Sequence, residues 1–406
     1  MRTVDEHLAA VLEVIQPLSE LDLTLLEAQA CVLSEDVVAE VPLPPFDTAA
    51  TSGYAVRLED VAAAGSGRPV TLPVVGDVGA ASTSAYSVQS GFSVRLATGA
   101  PVPAGTEAVV PLSWTDGGVA QVRIDRAPRA GEGVLHTGED VASGQIVLTA
   151  GTALGSQQLA VLAAVGRARV RARPRPRVVV VSVGARYADV GTQPAPGQVH
   201  DANSHALTAA AVEAGAIAYR VGAVPEEPRA LLGLLEDQLI RADLVVVTGA
   251  TSPDQHGGLD DALGRLGTVH THELAMRPGG WQGFGTIGPD ATPIFTLPGD
   301  PVSAYVSFEV FVRPALRRMI GVQSIYRALV SASTTAALHG ASGERWYVPA
   351  VLDVRQGAYV VTPAGTVGRD HVADLARANC LAVIPETGDV PRGGAATVVV
   401  LERRQG

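Results

Sequence analysis

The chain has 406 residues, too many for one ordinary core, and its length fits about three or four domains of ~100–150 residues. Its formal net charge of −11 argues against non-specific binding to nucleic acid or an anionic membrane, which depends on surplus positive charge. All 30 basic residues are arginines, so a Schiff-base lysine, a P-loop lysine and a lysine general base are excluded. Only 4% of residues are aromatic against 47% hydrophobic, as expected of an ordered chain built from small, regular Ala- and Val-rich elements. Cys31 and Cys380 lie far apart in apolar contexts without C-x-x-C spacing and read as buried thiols. The first 20 residues lack a secretory pattern, and no uncharged apolar stretch reaches 18 residues, so a cytoplasmic protein is expected.

Val4, Leu8, Val11, Leu12 and Ile15 recur at helical spacing, and Leu23 to Leu33 repeats the pattern, which predicts two opening helices. From Val41 to about Asp140, short Val-rich runs alternate with Gly, Pro, Ser and Thr and predict a small β-domain. Residues 145–174 return to strand and helix, so that domain reads as an insertion. The run RVRARPRPR at 169–177 reads as a solvated connector. VVVVSVG, HALTAAAVEAGA and LVVVTGA then give the strand, helix and strand of a parallel α/β unit. FTLPGDPVS puts Gly299 in a turn and Pro301 to Ser303 at a helix start, where free backbone N–H groups favour an anion, so a strand-end site is expected. A β-rich segment from about 320 closes the chain.

Five segments occur in one order: PPFDTAATSGYAVRLEDV (44–61), RLATGAPVPAGTEAVV (95–110), GEDVASGQIV (138–147), GQVHDAN (197–203) and LPGDPVSAYVSFEVFVRP (297–314). Together they resemble the MoeA/gephyrin family over essentially the whole chain. The resemblance implies an α/β multidomain fold and an elongated homodimer. Its parts would be an α+β linker subdomain (1–40 plus 145–174), an inserted β-domain (41–144), a MogA-like parallel-sheet domain of molybdopterin-binding type (175–318) and a C-terminal β-barrel-like domain (319–406). It also implies insertion of molybdate into adenylylated molybdopterin, assisted by a divalent metal such as Mg2+.

Thr98, Asp140, Asp201 and Ser303 match the family pattern as catalytic remnants. Thr248, Gly249, Ser252, Arg277, Pro298, Gly299, Asp300 and Pro301 match its cofactor-binding segments. Other positions depart from it. Ser52 replaces a catalytic aspartate, Ala185 and Arg186 replace two carboxylates, and Gly280 replaces one of two lysines, the other being Arg277. Asp254 substitutes for a lost acidic ligand only by a shift of register. Each kept motif also has a structural explanation: T-G-A-P-V-P makes a rigid loop with or without a ligand, L-P-G-D-P fixes a strand-to-helix turn, and Asp140 serves equally as a turn carboxylate. His270 and His272 would share a strand face near His256, but without a third ligand at suitable spacing they read as surface residues.

These losses suggest a fold kept without its chemistry, needing no cofactor. The resemblance to gephyrin then implies a scaffold that grips a linear peptide, with Asp5, Leu8, Tyr347 and Pro385 at the matching groove positions. A cytoskeletal partner such as FtsZ, or the tail of a membrane protein, is the expected ligand. The alternative is a divergent molybdopterin molybdenumtransferase, in which Mg2+ and molybdopterin are required and Ser52 and the Asp254 region act through waters.

Overall fold

The structure is a computed structural model that describes residues 1–82, 86–249 and 258–401. Ser252, Asp254 and His256 therefore lie outside the described residues. The first helix, Val4–Val14, is closed at its N-terminus by a reciprocal capping box between Thr3 and Glu6. Its face of Val4 and Val11, continued by Ile15, enters the same core as Val178, Val180, Phe308 and Phe311. This differs from the expectation for 1–40, since the opening helix packs with the α/β domain.

No second helix follows. Leu21–Thr24 is a strand, residues 25–30 form turns in which Ala30 takes a positive φ, and Val32–Leu33 is a strand. Both strands flank Arg169–Arg173, in the order Leu21–Thr24, Arg169–Arg173, Val32–Leu33. Pairing with that distant strand overrides the helical spacing of the leucines, and Leu26 is left 82% exposed. The same pairing corrects the connector expected at 169–177. Arg169 and Arg171 pair with Asp22 and Glu20, and Arg177 pairs with Asp243. Arg175 donates to the carbonyls of Gly215 and Ala216.

The inserted β-domain is a five-stranded sheet, in the order Ala108–Pro111, Gly53–Val56, Ser93–Leu96, Val70–Val78, Gln121–Ile124. The α/β sheet runs Ile217–Val224, Arg177–Val183, Leu244–Thr248, Thr292–Leu297, Trp281–Ile287, Gly267–Glu273. Its first four strands are parallel and the last two antiparallel. Val178 to Val181 are fully buried, each contributing about 1.5–3 kcal/mol, because helices cover both faces. The C-terminal strands Leu329–Thr334, Arg345–Arg355, Ala358–Pro363, Cys380–Ile384 and Ala395–Val400 pair in a ring that closes a barrel. Cys31 and Cys380 are buried free thiols. Among the described residues no helix is long and apolar enough to cross a membrane.

Candidate functional site

From Arg177–Val183 the chain crosses to Ile217–Val224 on one side and then to Leu244–Thr248 on the other. The strand order therefore reverses beside Arg177–Val183, and a crevice opens at the carboxyl ends of the central strands. Its floor is a hydrogen-bonded knot. Asn203, 1% exposed, donates from Nδ2 to Thr248 Oγ1 at 2.8 Å and to the Gly299 carbonyl at 3.0 Å. Thr248 Oγ1 donates to the Pro298 carbonyl at 2.6 Å, and Tyr187 Oη donates to the Gly299 carbonyl at 2.9 Å. Glycine is required twice. A Cβ on Gly249, whose φ is +95°, would lie 2.2 Å from the Val183 carbonyl oxygen, and one on Gly299 would lie 2.7 Å from Tyr187 Oη. The motif strings at 248–249 and 298–301 are thus brought together as expected.

The kept carboxylates are less free than the motifs suggest. Asp201 is fully buried, caps the helix Ala202–Glu213 through Ser204, and accepts from Ser182 Oγ at 2.7 Å. Arg220, turned by an irregularity in strand register, bridges Asp201, Asp189 and Ser204. Asp201 is therefore a structural cap. Asp300 caps the helix at Pro301 by accepting from both Ser303 N and Ser303 Oγ at 2.9 Å. This corrects the expected anion cradle, because Pro301 has no N–H and a resident carboxylate occupies the Ser303 donors.

Glu226, Arg369 and Asp370, which the motifs did not reveal, line the same region with Arg186 and Arg277. The carbonyl of Val224 accepts from Gly184 N at 3.0 Å, so the ends of the paired strands run side by side. Glu226, just beyond, puts Oε1 3.5 Å from where a Gly184 Cβ would be. A carboxylate thus stands beside Gly184, the residue before Ala185 and Arg186, supplied from the end of the neighbouring strand. Arg186 lies 5.6 Å from the Tyr187 ring. Burial raises the Tyr187 hydroxyl above its ordinary pKa, with Asp201, Asp300 and Glu226 acting in the same direction. The barrel contributes Asp370, whose carboxyl is raised by burial and then by Asp300. Arg277, with its guanidinium 5.6 Å from the Trp346 ring, lines one cleft with Arg369 and Asp370. The signals were the PEEP string directly after the edge strand Ile217–Val224 and the GRDH loop, each needing the fold to aim it.

The remaining predicted residues are dispersed. Thr98 lies in the β-domain, where Ser52 Oγ contacts its Oγ1 and accepts from its N–H, both at 3.0 Å. Asp140 is exposed in a nearby turn, its N–H donating to the Leu43 carbonyl. Asp5, Leu8 and Tyr347 do line one cavity of about 330 Å3, which Pro385 does not line. Asp5 is gripped there by both Arg345 nitrogens at 2.8 Å, and Tyr347 is only 6% exposed within the core. Tyr347 is accordingly a packing residue and not a groove-edge ring. His270 and His272 do share a face, and the expected surface pair is joined by the buried His7 of the first helix.

Residues 2–166 match the family described as MoeA N-terminal region (domain I and II), 179–318 a probable molybdopterin binding domain, and 331–401 the MoeA C-terminal region (domain IV). Two solved structures of a MoeA protein from Pyrococcus horikoshii are similar, at 27% and 26% identity. They cover 99% and 98% of this chain and 99% and 100% of theirs, with TM-scores of 0.80 and 0.76. Molybdopterin molybdenumtransferase 1 of Mycobacterium tuberculosis H37Rv is 39% identical over 97% of each chain. Molybdopterin molybdenumtransferase 2 of that organism is 40% identical over 95% of this chain and 96% of its own. The chain belongs to the MoeA family.

Proposed function

We propose that the protein is a molybdopterin molybdenumtransferase, acting on adenylylated molybdopterin and molybdate. The observation that carries this reading is Glu226, whose carboxylate stands beside Gly184, next to the Ala185–Arg186 segment that the sequence alone reads as emptied of negative charge. Arg277 and Arg369 supply cations for a phosphate-bearing substrate at the junction with the barrel. The names of the Mycobacterium tuberculosis relatives support the same activity. Among the described residues no three His, Cys, Asp or Glu side chains form a metal-holding group, so no step is assigned to Mg2+. The protein's own share is to bind the phosphates, orient the substrate over the Gly249 and Gly299 backbone, and hold negative charge at Glu226 and Asp370. The working unit is an elongated homodimer, which sedimentation velocity checks. Molybdate-dependent complementation of a strain lacking its own molybdenumtransferase tests the activity: growth supports it, and no growth from well-expressed, folded protein rejects it.

A peptide-binding role has one observation in its favour, the cavity lined by Asp5, Leu8 and Tyr347. Its partner would carry an apolar anchor, since Asp5 and Glu309 are already paired with Arg345 and Arg327. Calorimetry with cytoskeletal tail peptides, including that of FtsZ, on the protein and its Leu8→Ala variant is the check; no heat of binding removes the role.

A further inference from the structure

A second cavity, of about 300 Å3, opens at the far edge of the α/β sheet, three strands from the crevice. The first helix contributes Arg2, just before its start, and His7 to its wall, and the edge strand Gly267–Glu273 contributes Thr268, His270 and His272. Thr286 comes from the next strand, directly opposite Thr268. Strand alternation aims Thr268, His270 and His272 to one face and Thr271 and Glu273 to the other. His270 and His272 stack at 6.3 Å between ring centroids, and His7 meets His272 edge-on at 6.2 Å. His7 is 2% exposed, and its Nδ1 has no hydrogen-bond partner. A buried polar atom left unpaired costs about 1–3 kcal/mol, so a partner within the cavity would relieve it.

The local charge points to that partner's sign. Arg2 and His272 act on His7, and Arg2 and His270 act on His272; all are basic. Arg2 also acts on Glu6, which is tied to Thr3 in the capping box. From Arg2, His7, His270, His272, Thr268 and Thr286 we infer that this cavity binds a small oxyanion of phosphate type, at a site separate from the crevice. The Arg2 guanidinium and imidazole N–H groups with two hydroxyls form a donor set for tetrahedral oxygens. No metal is implied, since among the described residues no three His, Cys, Asp or Glu side chains form a metal-holding group.

The test follows the histidine Cε1–H signals of the full-length protein by NMR as inorganic phosphate is added to roughly 10 mM, above a ~1 mM dissociation constant. Adenosine monophosphate, a phosphomonoester, forms a second arm, and chloride at matched ionic strength is the control. The expected result is saturable shifts of the His7, His270 and His272 signals with phosphate. Arg2→Met and His272→Gln should each weaken binding about tenfold or more while the circular dichroism spectrum stays unchanged. Saturation by phosphate alone assigns a free-anion site, and saturation by both assigns a phosphoester site. Shifts that chloride reproduces, or binding unchanged in both variants, overturn the proposal. So does a change of oligomeric state in His272→Gln without any phosphate effect, since the cavity is then an interface.

Discussion

Replacing Asn203 by Asp tests whether the crevice floor is held by the two donors of one amide. The side chain is nearly isosteric, so no cavity opens, and Oδ1 already lacks a partner. What is lost is the Nδ2 group that donates to Thr248 Oγ1 and the Gly299 carbonyl. Two net hydrogen bonds account for about 2 kcal/mol, and a carboxyl set against two oxygens in a buried position adds about 1 kcal/mol or more. A loss of about 3 kcal/mol lowers the folding constant of the α/β domain more than 100-fold at pH 7. The three tryptophans fall in different sheets, Trp114 beside the β-domain sheet, Trp281 in the α/β sheet and Trp346 in the barrel. With Trp114 and Trp346 replaced by Phe, urea unfolding followed through Trp281 reads the α/β domain alone. A midpoint shift equivalent to less than ~0.5 kcal/mol would refute the floor as described.

Burial, reinforced by the charges of Arg2 and His272, holds the His7 imidazole down at about 4, below its ordinary 6.5. The unfolded chain therefore takes up a proton near pH 6.5 that the folded protein refuses, and this contribution, present above pH 6.5, is lost as pH falls toward 4. It amounts to about 3 kcal/mol, so His7→Phe should show a shallower loss of stability over pH 6.5–4 in denaturant titrations; parallel curves would contradict it. Tyr347→Ala should destabilise the protein by about 3–5 kcal/mol, because its ring belongs to the core; a thermal scan showing wild-type stability would contradict that placement.

Most of the α/β core could be read from the sequence because a strand buried on both faces has no polar alternation, and Val178 to Val181 can belong to little else. The Pro298–Ser303 turn was equally legible, being fixed by Pro, Gly and a capping Asp within six residues. Long-range pairing hid the rest. Leu23 to Leu33 satisfies a helical pattern locally, yet its partner strand lies at Arg169–Arg173, and arginines that look solvated are fixed by acids at 20, 22 and 243. Tyr347 stands next to Trp346 on a barrel strand, and it is buried only because that face of the barrel docks on the first helix and the α/β domain while Trp346 packs on the barrel core. Glu226 lies about forty residues from Gly184 in sequence and reaches it only through the Val183 to Val224 register.

The central claim is that the crevice still performs molybdenum transfer with Glu226 supplying negative charge that Ala185 and Arg186 do not. Purified wild-type and Glu226→Gln proteins, matched for folding and oligomeric state, should be assayed for molybdate-dependent turnover of adenylylated molybdopterin. The account predicts turnover by the wild type and a fall of roughly 100-fold or more in the variant, the scale expected when one charged group is removed from a set acting together. Absence of turnover in folded wild-type protein, or equal rates in the two, would contradict it.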